Sequence, residues 1–363
     1  MQITIDAGAL TSALAVLRKA AGVLHAPLSC KHILVTADAG ELRLEATDME
    51  QHMLAKLPAR VALKGSALLP LAGLLAAVKG YKGDVRITNG LVECGDRATD
   101  LVTLPVSDWP QMLAPFDEAK RWSMPAADLA TVLGRVAPFQ SSEETRYYLN
   151  GVLFETGKEG LTLVATDGHR LAAETTPCTA PAGVRIIVPS CAVATLQAAL
   201  KGAEGTAQIE ATDTRVRVVL GRTAVTSKLI DGSFPEYDRC VPGAAEVVSW
   251  LAIDANYLST TAEALIASMD RHYSRPVKLE LAGSSMTATA GDAEQGVSKM
   301  RLNGATAFTG APVVIGFAGD QLRSFARAAG GRLTIGMATD YGPARITSTA
   351  APAWLGVLMP HRV

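Results

Sequence analysis

Apolar positions along this chain follow two rhythms that succeed one another from end to end. Segments such as LRLEAT (42–47) and LTLVAT (161–166) place an apolar residue at every second position, the period of a strand with one buried face. Others place apolar residues at i, i+3 or i+4 and i+7, the period of a helix with one buried stripe. This spacing predicts helices through Leu10, Leu14 and Leu17, through Leu129, Val132, Leu133 and Val136, and through Leu258, Thr261 and Leu265. It predicts a second set over 70–79 (Leu71, Leu74, Leu75, Val78), 189–200 (Val193, Leu196, Leu200) and 318–329 (Leu322, Phe325, Ala326, Ala329). Between them, VRITNGLVEC (85–94), AQIEATDTRVRVVL (207–220) and LTIGMATDYGPARIT (333–347) alternate around Gly, Asn and Asp turn signals and read as antiparallel hairpins.

The rhythm repeats. LRLEATDMEQ (42–51) returns as LTLVATDGHR (161–170), with Asp48 and Asp167 lying 119 residues apart. A weaker third copy, MTATAGDAEQ (286–295), puts Asp292 a further 125 residues on. The second helical segments of the first two units start 119 residues apart, and Trp109-Pro110 and Phe234-Pro235 mark equivalent unit ends 125 residues apart. The chain therefore divides into similar domains at 1–119, 120–244 and 245–363, each an α+β unit of two helices with antiparallel sheets and itself nearly doubled. Units that bury faces against neighbours stack or close, so a head-to-tail pair of such chains makes a ring of six domains.

A length of 363 residues with 48% hydrophobic content suits two or three domains, each with its own core. The net charge of −1 carries no global nucleic-acid signal, so any such contact must come from one local face. Acids stand near helix starts (Asp6, Asp128, Asp254, Asp320), where they cap free backbone N–H groups. Bases lie further along (Arg18, Lys19, Lys79, Arg135, Lys201, Arg323, Arg327), with Glu263 as the interior acid among them. Helices sharing one face would make that face positive; the alternative is ordinary C-terminal helix charges on a solvated surface.

Cys30, Cys94, Cys178, Cys191 and Cys240 are odd in number and widely spaced, pointing to reduced, mostly buried thiols rather than a disulfide framework or zinc site. The start, MQITIDAGAL, lacks the pattern of a signal peptide, and no long apolar run occurs, so a soluble, cytoplasmic protein without membrane contact is expected. Asp167, His169 and Arg170 together raise an acid–base enzyme as one alternative. Against it, the chain holds no GxSxG, HExxH, Walker A or GxGxxG pattern and its six histidines show no ligand spacing, so neither catalysis nor a cofactor or metal is expected.

RYYLNGVLFE (146–155), LTLVATDGHRLA (161–172), TSKLIDGSFPEYDRCVP (226–242) and the terminal VLMPHRV (357–363) closely resemble the bacterial β sliding clamp of DNA polymerase III. The resemblance implies a head-to-tail homodimeric ring that encircles double-stranded DNA without sequence preference. It also implies a pocket for linear motifs of the polymerase III α subunit, the clamp loader, other polymerases and repair proteins. Carried over, that pocket is Leu149, Thr166, Gly168, His169, Arg170, Leu171 and Pro242, closed by Val357, Met359, Pro360, His361 and Arg362. Candidate DNA contacts are Lys19, Lys79, Arg135, Lys201, Arg323 and Arg327, with Arg146, Tyr147 and Tyr148. Ring closure is expected to pair an edge strand around 98–104, carrying Leu101, with domain 3 near Leu265 and Ile266.

Two departures stand out. Where the family usually has a DNA-contacting arginine, this chain reads GVLHAPLSCKH (22–32), leaving His25 or Lys31 as substitutes. His361 stands where a methionine is frequent, making that edge more polar. A specialised clamp paralogue and a protein-binding scaffold that never meets DNA are the alternative functions.

Overall fold

The computed structural model describes residues 1–22, 26–110, 116–267, 269, 275–292, 296–302 and 306–363. The predicted helices all form: α1 (Ala7–Leu17), α2 (Leu71–Val78), α3 (Ala126–Val136), α4 (Ser190–Leu200), α5 (Ala255–Ile266) and α6 (Gly319–Ala329). Their apolar stripes are buried as the period requires, from Leu10, Leu14 and Leu17 in α1 to Leu322, Phe325, Ala326 and Ala329 in α6. Asp6 and Asp254 act as N-caps, accepting from the backbone N–H of Ala9 and Tyr257. Asp128 and Asp320 sit instead in first turns, beside the positive end of the dipole. No described helix is long and apolar enough to cross a membrane.

The expected hairpins form around the signalled turns. Asn89 and Gly90 both have positive φ (44° and 104°), the mirror-image turn that matches strand twist, between Asp84–Thr88 and Leu91–Cys94. At the repeated ATD tripeptide the two turns are built alike. Thr47 Oγ1 donates to the Gln51 carbonyl (2.7 Å) and Asp48 accepts from Gln51 N (2.8 Å); Thr166 Oγ1 donates to the Arg170 carbonyl (2.7 Å) and Asp167 accepts from Arg170 N (3.0 Å).

Contacts divide the chain into two compact units: Met1–Thr131 with Thr156–Lys158 and Cys178–Asp231, and Val132–Glu155 with Glu159–Pro177 and Gly232–Val363. In the first unit eight strands form one antiparallel sheet in the order Lys120–Pro125, Thr206–Ala211, Arg215–Leu220, Thr223–Lys228, Gln51–Pro58, Glu41–Thr47, His32–Asp38 and Gly65–Pro70. At its centre a strand from the N-terminal third pairs with one about 170 residues later, His52 opposite Thr226. The second unit repeats this plan. Gly160–Thr166 pairs with Arg170–Thr176, which pairs with Trp354–Leu358, Leu171 lying opposite Val357. Each unit also has a smaller sheet, ending in the edge strand Arg97–Asp100 in the first and Gly296–Arg301 in the second.

The edge strand expected over 98–104 is shorter: it spans Arg97–Asp100, and Leu104 turns away to bridge Leu68. Cys30 and Cys94 are buried, but Cys191 and Cys240 are exposed and Cys178 is half-buried, so the thiols are not mostly buried. All five are free.

In the second unit Phe139, Phe325 and Trp354 form one aromatic core, with Phe139 and Phe325 centroids 4.7 Å apart and Phe325 edge-on to Trp354 at 5.9 Å. Gly356 leaves the room, since a Cβ there would come within 2.5 Å of the Phe325 ring. Phe325→Ala is expected to cost about 3–5 kcal/mol, whereas Asp254→Ala, which removes one cap, costs about 1 kcal/mol. Urea unfolding of both variants checks this order.

Candidate functional site

The turn at 166–170 forms one wall of a pocket within the second unit. Thr166, Gly168, His169, Arg170 and Leu171 line it together with Leu149, Val357 and Met359, around a cavity of about 230 Å³. Gly168 has φ 88°, a backbone conformation that favours glycine, and the Arg146 guanidinium lies where a Cβ would stand. Leu149, Leu171 and Val357 are buried and form the floor, while Met359 is 40% exposed at the rim. The backbone N–H of Met359 donates to the His169 carbonyl (2.9 Å), which ties the C-terminal segment to the turn.

Arg170 is held in the wall rather than free to reach out. Its Nε donates to Asp167 Oδ2 (2.8 Å), its Nη2 to the Pro138 carbonyl (3.2 Å), and its guanidinium lies 5.2 Å from the Phe139 ring centroid. The Asp167–His169 pairing that raised acid–base chemistry is taken up here, because Asp167 is occupied by Arg170 and by the backbone N–H of His169.

Other predicted residues are placed differently. Pro242 is buried, its carbonyl accepting from Arg345 Nη1 (3.2 Å), and it does not line the cavity. Pro360, His361 and Arg362 run past the pocket; the His361 N–H donates to the Gly316 carbonyl (2.8 Å), and a Cβ at Gly316 would strike His361 and Val363. Arg146 and Tyr148, grouped with the DNA contacts by sequence, line the pocket. Pro235, Tyr237 and Cys240 complete it, and sequence reasoning missed them although they lie inside the quoted SFPEYDRC stretch. Tyr237 is fixed by its hydroxyl, which donates to Glu155 (2.9 Å).

Of the candidate DNA contacts, Lys19, Lys79, Lys201, Arg327, Arg146 and Tyr147 are exposed. In the first unit α1, whose end carries Lys19, packs against both α2 and α4, which Lys79 and Lys201 terminate. Arg323 is less free than the sequence suggested, pairing with Glu263 (3.0 Å) and Asp320 (3.7 Å). Arg135 is turned inward, its Nη1 2.6 Å from Glu174 with both side chains largely covered. His25 lies outside the described residues, whereas Lys31 is exposed. Leu265 and Ile266 are 2% and 1% exposed within their own chain, on the stripe of α5 that packs inward, so they have no surface to offer a second chain. Leu101 is buried as well. Among the described residues no cluster of His, Cys, Asp and Glu could hold a metal ion.

Residues 123–236 match the family model of the DNA polymerase III beta subunit, central domain. The chain is 31% identical to the beta sliding clamp of Escherichia coli K12 over 307 residues, 80% of each chain. It is 29% identical to the beta sliding clamp of Caulobacter vibrioides NA1000 over the full length of both. Among solved structures, a sliding clamp (DNA polymerase III subunit beta) from Bartonella birtlesii bound to griselimycin superposes with a TM-score of 0.92 at 26% identity, covering 100% of both chains.

Burial pushes the Glu174 carboxyl above its ordinary value of 4.5, the nearby Arg135 only partly opposing this, and Glu174 Oε2 is buried without a hydrogen-bond partner among the described residues. A carboxyl whose value is raised on folding binds its proton more tightly in the folded state, so its contribution to stability falls as pH rises from the unfolded value through the folded one. Glu174→Gln is therefore expected to flatten the loss of stability on raising the pH above about 4.5, as read from urea midpoints across pH 4 to 8.

Proposed function

The chain belongs to the bacterial β sliding clamp family, and from that membership we infer that it is a DNA sliding clamp, held on duplex DNA by enclosure rather than by affinity. The observation that carries its tethering role is the pocket of Leu149, Leu171, Val357 and Met359 beside the 166–170 turn. A small apolar cavity with a few fixed polar groups suits one or two aliphatic side chains of an extended peptide. Its occupants are the linear motifs of the polymerase III α subunit, the clamp loader and other polymerases and repair proteins. The chain acts as a tether without chemistry of its own.

Three domains, 1–119, 120–244 and 245–363, in each of two chains would close a six-domain homodimeric ring. Two edge strands support this reading: Arg97–Asp100 ends one small sheet and Gly296–Arg301 another, and each carries backbone groups ready for a partner strand. DNA contact is assigned to the exposed bases Lys19, Lys79, Lys201 and Arg327, with Arg146 and Tyr147. Arg135 and Arg323 are left out of that surface, because their charges are answered by Glu174 and by Glu263 and Asp320. A scaffold indifferent to DNA would have the pocket but would not stay on circular DNA.

Met359→Asp and Leu171→Ala are expected to weaken binding of a polymerase α-subunit motif peptide by about 30-fold or more, a loss of roughly 2 kcal/mol typical of a buried anchor contact. Unchanged affinity by fluorescence anisotropy would remove the pocket assignment. Loaded on nicked circular DNA, the protein is expected to remain until the circle is cut. The combined Lys79→Glu, Lys201→Glu and Arg327→Glu variant is expected to associate more weakly with DNA and to show a shallower dependence on salt. A salt slope that does not move would place these residues away from DNA.

A further inference from the structure

The repeat that builds the pocket also builds its counterpart in the first unit. The turn at 47–51 has the hydrogen bonds of the turn at 166–170, and the strand that follows it pairs with a distant strand in the same way. His52 opposite Thr226 stands where Leu171 faces Val357. Pro110 lines the counterpart as Pro235 lines the pocket, each following the aromatic residue that ends its repeat. The space over this sheet face is larger, about 790 Å³.

Its floor differs in character. Leu34, Leu54 and Val219 supply apolar ground beside Trp109, but the lining is otherwise charged: Arg43, Lys56, Arg217 and Arg222 against Glu41 and Glu45. Burial pushes the Glu45 carboxyl up, yet bonds from His52 (2.9 Å) and Arg43 (2.8 Å) outweigh it and keep the carboxyl below its ordinary value. Lys56 holds Glu41 at 3.3 Å with both side chains well exposed, a pair weak enough to exchange with an incoming carboxylate. Arg217 pairs with Glu210 (3.1 Å), while Arg222 is exposed and carries no side-chain partner among the described residues.

We propose that this cavity is a second docking site for partner proteins, one that takes an acidic extended peptide with aliphatic side chains. Arg222 and Lys56 receive the carboxylates, and Leu34, Leu54 and Trp109 receive the aliphatic groups. The surplus of cations in the lining selects acid, and the apolar ground of Leu34, Leu54, Val219 and Trp109 beside them favours a peptide with aliphatic side chains over a phosphate backbone, which has no apolar group to bury there. From the reading of the other pocket the proposal takes only the class of occupant, an extended peptide.

The probe is a fluorescein-labelled nonapeptide of three Glu-Glu-Leu repeats, titrated by anisotropy at low ionic strength, with a labelled nine-nucleotide oligothymidylate as comparison. Saturable peptide binding is expected, weakened at least tenfold in Arg222→Glu and in Lys56→Glu and unchanged in Met359→Asp. The exposure of these side chains keeps the variants folded, which thermal unfolding verifies. Absence of saturable binding, or binding that survives both charge reversals, overturns the site. So does oligothymidylate binding tighter than the peptide and lost in Arg222→Glu, which makes it a nucleic-acid surface. Binding lost in Met359→Asp would move the acidic peptide to the other pocket, whereas loss of the α-subunit motif alone in that variant leaves both assignments intact.

Discussion

The backbone ladder between Arg170–Thr176 and Trp354–Leu358 is the constraint on which the functional half of this molecule depends. Interior strands must satisfy their N–H and C=O groups, and Arg170–Thr176, paired on one side with Gly160–Thr166, finds its second partner in Trp354–Leu358. That pairing sets Leu171 opposite Val357, brings Met359 back to the His169 carbonyl, and so converts a surface turn into one wall of a pocket. The counterpart ladder between Gln51–Pro58 and Thr223–Lys228 likewise brings Lys228 back to the Glu50 carbonyl in the first unit. A one-residue slip in either would turn every side chain to the opposite face.

Around this ladder, rigidity is supplied by groups that sequence alone would assign to ligand contact. Arg170 is spent on Asp167, the Pro138 carbonyl and the Phe139 ring. It therefore shapes the cavity and links it to the aromatic core formed with Phe325 and Trp354. What remains free to meet a partner is mainly apolar floor, exposed Met359, and the imidazole of His169. This division between fixed polar wall and apolar floor suits modest, exchangeable binding of many related motifs.

Charge is organised with similar economy. The chain is nearly neutral overall, yet Lys19, Lys79 and Lys201 stand exposed at the ends of helices α1, α2 and α4. There the dipole already favours them. In contrast Arg135 and Arg323 answer buried or neighbouring acids, and the reversal of Leu171 to His52 between repeats makes one copy of the same architecture polar. The repeated architecture thus carries a cavity in each unit, with equivalent positions at Leu171 and His52, Val357 and Thr226, and Pro235 and Pro110, and different chemistry around them.

The sequence by itself determined the local elements and their repetition. Leu10, Leu14 and Leu17 could only form one buried stripe, Asn89-Gly90 could only turn a hairpin tightly, and the ATD tripeptides carried their own hydrogen bonds, because these choices rest on contacts within a few residues. The resemblance of its longer segments to a known family named most of the pocket. Tertiary structure alone decided which strands meet across about half the length of the chain and that Pro235 and Tyr237 wall the cavity while Pro242 does not. It also decided that Arg135 points inward and that Leu265 and Ile266 belong to the core of their own chain. The reason is that periodicity reports which face of an element is hidden from water but not what hides it, and the partner of a buried face is fixed only when the whole chain has packed.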